Sequence, residues 1–363
     1  MGAVVTRPAQ QSVTIVDVAK AAGVSKSTAG RALTGAGEVS ARTREKVARV
    51  AAELGYRPNG VARSMITGNT ETVGVVIPDM SNRFFSAALQ SIARTIRQHG
   101  YELLVSSTEG EPTLERRSVE VLATKRVDGL IVAPVGGADT HHLRQLAESG
   151  TALVLLDRPA PKITGASFVS VNNIEASRLA VNHLIGLGHR HIGIISEARY
   201  DAASAGDAVP APTVDRPSTL RLAGYVRAMA DAGLTVRPEH VAHSAYSSTA
   251  SYAATRRLLQ TTPRVTAIYC TDNVLSVGAF AALQDSGRRC PQEVSLIGFD
   301  DHEWAPLVRP RLTVVAQPTE DIGVTAAEDL LAAIADPTRE PATRLLPARL
   351  ITRDSTASPD HPG

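Results

Sequence analysis

From Thr14 to Tyr56 apolar positions recur at helical spacing. From Thr72 onward short apolar runs alternate with helical stretches. The runs that read as strands are 72–78, 101–107, 129–135, 152–157, 191–196, 266–271 and 294–299. Helical patterns fall between them at 84–98, 114–124, 141–148, 175–186, 219–232, 249–260 and 274–286. Near-continuous apolar strands alternating with helices predict parallel sheets covered on both faces. Seven such strands are more than one small sheet usually takes, so two doubly wound lobes are expected. Residues 1–12 and 354–363 read as flexible tails. The stretch 58–70, PNGVARSMITGNT, reads as a linker. Residues 197–219 carry Pro210, Pro212 and Pro217, a density that fits neither helix nor central strand, and predict a long mobile loop.

The first 57 residues divide into three helices. Thr14-Ile-Val-Asp17 has the form of a helix start. Gly23 breaks that helix, and Ser25 caps a second one, Lys26–Leu33. A helix, a glycine-containing turn and a second helix make a helix-turn-helix, with small Ala19 and Ala29 allowing close approach. Lys26, Ser27, Thr28 and Arg31 lie outside that packing, on a helix that fits the major groove of DNA. Lys26 and Ser27 are candidates for base edges, and Arg31 for guanine or phosphate. A third helix is expected from Ser40 to Leu54, with Val47, Val50, Ala51 and Leu54 as its apolar stripe. Arg42, Arg44 and Arg49 are expected to face solvent or phosphate.

Charge sharpens this division. Residues 1–68 hold ten Lys/Arg and four acids, a balance of +6, and the remainder of the 363-residue chain is −4. A basic head on a mildly acidic body fits a head that meets a polyanion. Hydrophobic residues make up 43% and charged residues 20%, which excludes wholesale disorder. No apolar run is long enough for a membrane span. The N-terminus lacks a basic-then-apolar leader, so a cytoplasmic protein is expected. Cys270 and Cys290 are the only cysteines, which excludes a disulfide framework and fits a reducing compartment.

The runs TIVDVAKAAGVSKSTAGRALTG and VSARTREKVARVAAELGYRPNGVAR closely resemble the head of the lactose-repressor (LacI/GalR) family. The likeness continues through TVGVVIPDMSNRFF, VDGLIVAP, LLDRPA, HLIGLGHRHIGII, RLAGY, GFDD and LTVVAQP, in family order. It implies a helix-turn-helix DNA-binding domain at 13–57, a hinge helix and linker at 58–70, and an effector-binding and dimerisation domain at 71–353. That last domain would consist of two lobes like those of periplasmic sugar-binding proteins. The family implies a homodimer whose second helices read the two halves of a palindromic double-stranded operator. It also implies a hinge, here Asn59–Ile66, that folds on DNA and wedges apolar side chains into the minor groove. The DNA-facing set then comprises Thr14, Ser25, Lys26, Ser27, Thr28, Arg31, Tyr56, Asn59, Ala62 and Met65. Met65 stands where the family usually has leucine, and Gly30 where it usually has serine.

In the body the resemblance places a small-molecule site between the lobes. Asn82, Phe84 and Phe85 follow the first strand, at a carboxyl-end loop suited to a ligand. Phe84 is the stronger ligand candidate, and Phe85 divides evenly between ligand and lobe core. Arg221 opens RLAGY, where the family carries an arginine that grips effector, and Tyr246 falls where it places a stacking aromatic. Asp272 and Asp300 are strand-end carboxylates ready to accept sugar hydroxyls. Asp157 also ends a strand, with a turn role favoured, and Trp304 is assigned to packing over ligand stacking. Asp272-Asn273 reverses the family's Asn-Asp, Asn172-Asn173 replaces its Asp-Asn, and Glu197 replaces a usual glycine.

The sequence therefore predicts a sequence-specific transcriptional regulator of repressor type, controlled by a sugar-like effector. A purine or nucleoside corepressor is the alternative effector, and a solute-binding protein without DNA regulation the alternative class. No catalytic residue, metal site, cofactor or membrane partner is expected. The chain lacks GxxxxGK[ST], HExxH, GxSxG and a GxGxxG after a strand.

Overall fold

The computed structural model describes residues 13–34, 38–56, 69–136, 140–160, 163–200 and 216–359. The chain divides into two compact units, Met1–Glu71 and Thr72–Gly363.

In the first unit, α1 (Ile15–Ala22), α2 (Lys26–Thr34) and α3 (Ala41–Glu53) pack around Val18, Ala19, Ala22, Ala29, Ala32, Val47 and Ala51. Asp17 Oδ2 reaches back to the Thr14 backbone N–H at 2.8 Å and its hydroxyl at 2.7 Å. Those bonds hold the Asp17 carboxylate below its ordinary range. Gly23 ends α1 at φ +64°, a left-handed geometry open to glycine, and the Val24 N–H returns to the Ala19 carbonyl. Ser25 Oγ accepts the Thr28 N–H and starts α2. Ser40 caps α3 in the same manner through the Thr43 N–H. Val47 and Ala51 of the expected stripe are buried, Val50 is half-buried, and Leu54 is exposed beyond the helix end.

In the second unit the described residues form two six-stranded sheets. The first lobe orders its strands β11-β5-β4-β3-β1-β2 and the second β12-β10-β9-β8-β6-β7. The strands are β1 (Thr72–Ile77), β2 (Glu102–Ser107), β3 (Gly129–Val132), β4 (Ala152–Leu156), β5 (Ser167–Val171), β6 (Ile192–Ser196), β7 (Val241–His243), β8 (Ala267–Cys270), β9 (Ser295–Phe299), β10 (Thr313–Ala316), β11 (Thr343–Leu346) and β12 (Arg349–Ile351). All pairings are parallel except β10 with β12. Central strands such as β1, β4 and β9 are apolar nearly throughout because helices cover both their faces.

The helices of this unit are α4 (Arg83–Gln98), α5 (Pro112–Thr124), α6 (His141–Glu148), α7 (Asn173–Gly186), α8 (Pro217–Asp231), α9 (Ser248–Leu258), α10 (Asn273–Asp285) and α11 (Thr319–Ala335). Helix α7 packs on α8 in the second lobe, and α11 packs on α4 in the first. The chain therefore passes between lobes after β5, after β10 and between β11 and β12.

Three expectations require correction. Residues 354–359 are no frayed tail: the Ser355 carbonyl accepts the Leu296 N–H, its Oγ accepts the Thr313 N–H, and the side chain is fully buried. Pro217 belongs to α8 rather than to the preceding loop, since the first helical turn needs no N–H from it. The seven expected strands omit β5, β7, β10, β11 and β12, and the expected helices omit α11. The expected tail 1–12 and loop residues 201–215 lie outside the described residues.

Candidate nucleic-acid interface and inter-lobe cleft

On the head, α2 presents Lys26, Ser27 and Arg31 to solvent, with Thr28 half-buried. Ser25 hydrogen-bonds Ser27 Oγ at 2.9 Å and Thr28 Oγ1 at 2.8 Å, so the three hydroxyls order one another at the helix N-terminus. Unpaired N–H groups and the helix dipole make that end attractive to phosphate, and Lys26 adds charge there. Lys46 on α3 lies near the Gly23 turn, and Arg42, Arg44 and Arg49 are exposed on the same helix. Thr14 is exposed, while Tyr56 is half-buried against the head core. Asn59, Ala62 and Met65 lie outside the described residues.

Between the lobes lies a cavity of about 680 Å³. Its walls are the residues that follow the carboxyl ends of the strands, as open α/β sheets dictate. Beyond β1, β3 and β4 the first lobe contributes Asn82, Phe84, Phe85, Val135 and Asp157. Beyond β6 to β10 the second contributes Glu197, Tyr246, Thr271, Asp272, Asp300 and Gln317, and α8 adds Arg221. All six predicted effector residues thus line one cavity: Asn82, Phe84, Arg221, Tyr246, Asp272 and Asp300.

Each has a local reason for its place. Asn82 caps α4 by accepting the Phe84 N–H at 2.9 Å, and its amide donates across the cleft to the Tyr246 hydroxyl at 3.1 Å. Arg83 and Glu303 make a second inter-lobe contact at 2.8 Å. Phe84 and Phe85 meet edge to face at 5.1 Å, and both belong to the core as well as the cleft wall. Arg221 is buried, donating from Nε to Asn173 Oδ1 and from Nη1 to the Thr271 carbonyl, both at 2.7 Å. Its guanidinium lies 3.7 Å above the Phe299 ring centre, a cation–π contact that fixes its plane.

The carboxylates share one electrostatic problem. Asp272 caps α10 through the Val274 N–H, and burial followed by repulsion from Asp300 pushes it up to about 7, with Arg221 opposing. Burial likewise raises Asp157 and Glu197, against the neighbouring arginines. Asp300 is held by Gln317 Nε2 at 2.7 Å. Burial and the nearby Asp272 and Glu197 raise the Tyr246 phenol, so it stays a hydrogen-bonding hydroxyl. Asp157 and Asp300 both sit at positive φ, +65° and +67°, which turns each carboxyl away from its strand. Asp157 is therefore a turn residue, as expected, and also part of the cleft wall.

Gln317, Thr271 and the Arg221-positioning Asn173 were not singled out as site residues. Gln317 stood in the LTVVAQP run directly after β10, which was the available signal. Asn172 caps α7 through the Glu175 N–H. Trp304 packs edge to face on Phe280 in the second-lobe core. His189 ties Thr266, Ser295 and the Ala357 carbonyl together. No cluster of His, Cys, Asp and Glu among the described residues could hold a metal, and no helix among them is long and apolar enough to cross a membrane.

Comparison with known proteins matches the bacterial regulatory protein lacI family at residues 14–59 and a periplasmic binding protein-like domain at 181–356. Catabolite control protein A of Priestia megaterium is 32% identical over 355 residues, covering 95% of this chain and 99% of the relative. The chain belongs to the LacI family. It is a DNA-binding transcriptional repressor with an effector-responsive body, and not an enzyme. Among solved structures, the lac repressor dimer bound to operator and the anti-inducer ONPF superposes with a TM-score of 0.80 at 26% identity, covering 96% of this chain and 100% of that one. The complex of the transcriptional regulator CelR with cellobiose gives a TM-score of 0.69 at 29% identity, with coverage of 94% and 99%.

Proposed function

We propose that this LacI-family repressor acts in the cytoplasm as a homodimer on a palindromic operator, and that a sugar-like effector held between its lobes sets operator affinity. The observation that carries the effector reading is the division of the cleft wall. Phe84 and Phe85 bring aromatic rings to it, while Arg221, Asp272 and Asp300, with Asn82 and Asp157 from the rings' own lobe, bring directed polar groups. A pyranose has the matching chemistry, with apolar C–H faces and a belt of hydroxyls. The cellobiose bound by CelR, of the same fold, supports the class.

On DNA, Lys26 and Ser27 take base edges, Arg31 takes guanine or phosphate, and Thr14, Ser25, Thr28 and Tyr56 support the backbone contacts. Asn59, Ala62 and Met65 keep the hinge role that the family resemblance implies. The lac repressor dimer on its operator supports two-fold reading. Exposed Leu104 and Val105 on edge strand β2, with Leu114 and Val121 on α5, offer an apolar face to the second copy. Effector control follows if the two lobe arrangements bind operator unequally and the ligand favours one.

The test is thermal unfolding of the full chain against sugars, sugar phosphates, nucleosides and purines. A ligand at 100 times its Kd adds about 2.7 kcal/mol, and the shift should vanish in Phe84→Ala and Asp300→Asn. A purine that shifts the chain while every sugar fails replaces the sugar class. A shift that persists in both variants places the ligand elsewhere.

A further inference from the structure

Six carboxylates line the cleft against three guanidinium groups, a formal charge of −3 in a cavity of about 680 Å³. Two of the three guanidiniums are already engaged. Arg221 donates Nε to Asn173 and Nη1 to the Thr271 carbonyl and lies over the Phe299 ring, with N–H donors left over, and Arg158 Nη1 donates to the carbonyls of Pro134 and Val135. Asp79 accepts the Ser81 N–H and hydroxyl, both at 2.7 Å, and the inner carboxylates are less well served. Asp157 is nine-tenths buried and accepts no side-chain hydrogen bond among the described residues; its nearest cation, Arg158 Nε, stands 3.9 Å away. That Nε is itself buried without a hydrogen-bond partner. Asp272 spends one oxygen on its helix cap, and Asp300 one on Gln317.

Asp157 is buried and Asp272 and Asp300 are half-buried, whereas Asp79, Glu109 and Glu197 are exposed; drawing the inner like charges together costs free energy that a bound proton or a counter-charge offsets. Neutral hydroxyls donate hydrogen bonds to carboxylates but bring no charge. A phosphate or carboxylate on the ligand adds repulsion. Glu197 and Asp272 stand where the family resemblance puts glycine and asparagine, while the aspartates it puts at 172 and 273 are asparagines here; the departures move carboxylates into the cleft lining without adding to their number.

We propose that the effector carries a protonated amine on a hydroxyl-rich scaffold, an amino sugar or amino polyol, and that the amine is held by the carboxylate wall that Asp272 and Glu197 complete. This rests on the effector-cleft reading above and narrows its chemistry. The rings of Phe84 and Phe85 take the carbon skeleton, Arg221 takes a hydroxyl, and the ammonium takes the surplus negative charge. An ammonium donates three charge-assisted bonds, enough to bridge more than one of these carboxylates.

The experiment is calorimetric titration of the full chain at neutral pH and low salt with matched pairs: glucosamine, galactosamine and mannosamine against glucose, galactose and mannose. N-acetylglucosamine and glucose 6-phosphate serve as neutral and anionic controls. The expected result is that at least one amine binds about tenfold or more tighter than its parent sugar, with the phosphate weakest. Asp272→Asn should cut that preference by about tenfold while keeping the helix cap, because asparagine accepts the same N–H. Glu197→Gln should cut it in the same direction.

A parent sugar that equals or beats its amine in every pair overturns the amine and leaves the sugar cleft standing. A preference unchanged in both variants also overturns it. Silence from every amine and every sugar, with the chain folded, removes the amine proposal and the sugar reading together.

Discussion

The two lobes are built to one plan and furnished differently. Both sheets run in the same order, and each has an aspartate turned into the left-handed region after its fourth strand, Asp157 and Asp300. Each also has a glycine where two helices touch. A Cβ on Gly224 would meet the Ile174 carbonyl oxygen at 2.3 Å, and one on Gly323 would meet that of Ala88 at 2.4 Å. The difference lies at the cleft. The first lobe shows it Phe84, Phe85 and Val135 beside Asp79, Glu109 and Asp157, and the second shows it Tyr246, Asp272, Asp300 and Arg221. Both lobes supply carboxylates, and the first alone supplies the phenylalanine rings. A ligand with both an apolar face and polar groups is fully satisfied only when both lobes touch it, which links binding to lobe arrangement. Asn82 to Tyr246 and Arg83 to Glu303 already bridge the lobes in this arrangement.

The largest test of this contrast is Arg221→Ala. Removing the buried fork leaves Asn173 Oδ1 and the Thr271 carbonyl unpaired and opens the second-lobe wall. Unfolding stability in urea should fall by about 2–4 kcal/mol, with effector binding lost. A loss under about 1 kcal/mol would show that the fork is not structural.

Next come the paired glycines. Gly224→Ala and Gly323→Ala should each cost about 1–3 kcal/mol in urea, because backbone carbonyls cannot yield as a side-chain tip can. Closely similar losses support the shared plan, and a neutral result in one breaks it.

Asp272→Asn sharpens the charge side. Its carboxyl rises from 3.8 to about 7 on folding, through burial and Asp300, with Glu197 adding to the rise and Arg221 resisting it. Between those values the folded chain holds a proton that the unfolded chain has lost, so this group makes stability fall as pH rises. The substitution should therefore gain nothing below pH 4 and about 1–3 kcal/mol above pH 7, read from urea midpoints across pH. A gain confined to acid would reverse the sign and refute the burial account.

The smallest effect is expected outside the lobes. Gly30→Ala should stabilise the head by about 0.5–1 kcal/mol in thermal unfolding, since a Cβ there meets only Ile15 Cδ1 at 3.7 Å. A loss would mean that α2 needs the glycine.

Legibility followed the same physics. The central strands β1, β4, β6 and β9 were readable because burial on both faces makes them apolar nearly throughout. Strand β11 was not, since three of its four residues are exposed and its pairing partner β5 lies far away in sequence. Helix α11 buries Gly323, Ala326 and Ala327 alongside Ile322 and Leu330, and so small a contact face carries little hydrophobic contrast. Residues 354–359 look polar enough to fray, yet Ser355 is held by backbone groups of Leu296 and Thr313 that only the fold brings near. Asn82, Phe84, Asp272 and Asp300 were legible because strand ends announce themselves along the chain, whereas Arg221 and Tyr246 were reached only through the family resemblance. Asn173 and the Asp157 carboxyl were not, because their roles depend on Arg221 and on burial from other elements.

The central claim is that occupying the cleft changes operator affinity. Its most direct test is a titration of the full chain on a palindromic duplex selected from a random pool. The titration is run with and without the ligand that gives the largest thermal shift in the sugar and amino-sugar panel. The account predicts operator affinities that differ by at least about fivefold, a difference abolished by Asp300→Asn. Equal affinities with the cleft occupied would contradict it.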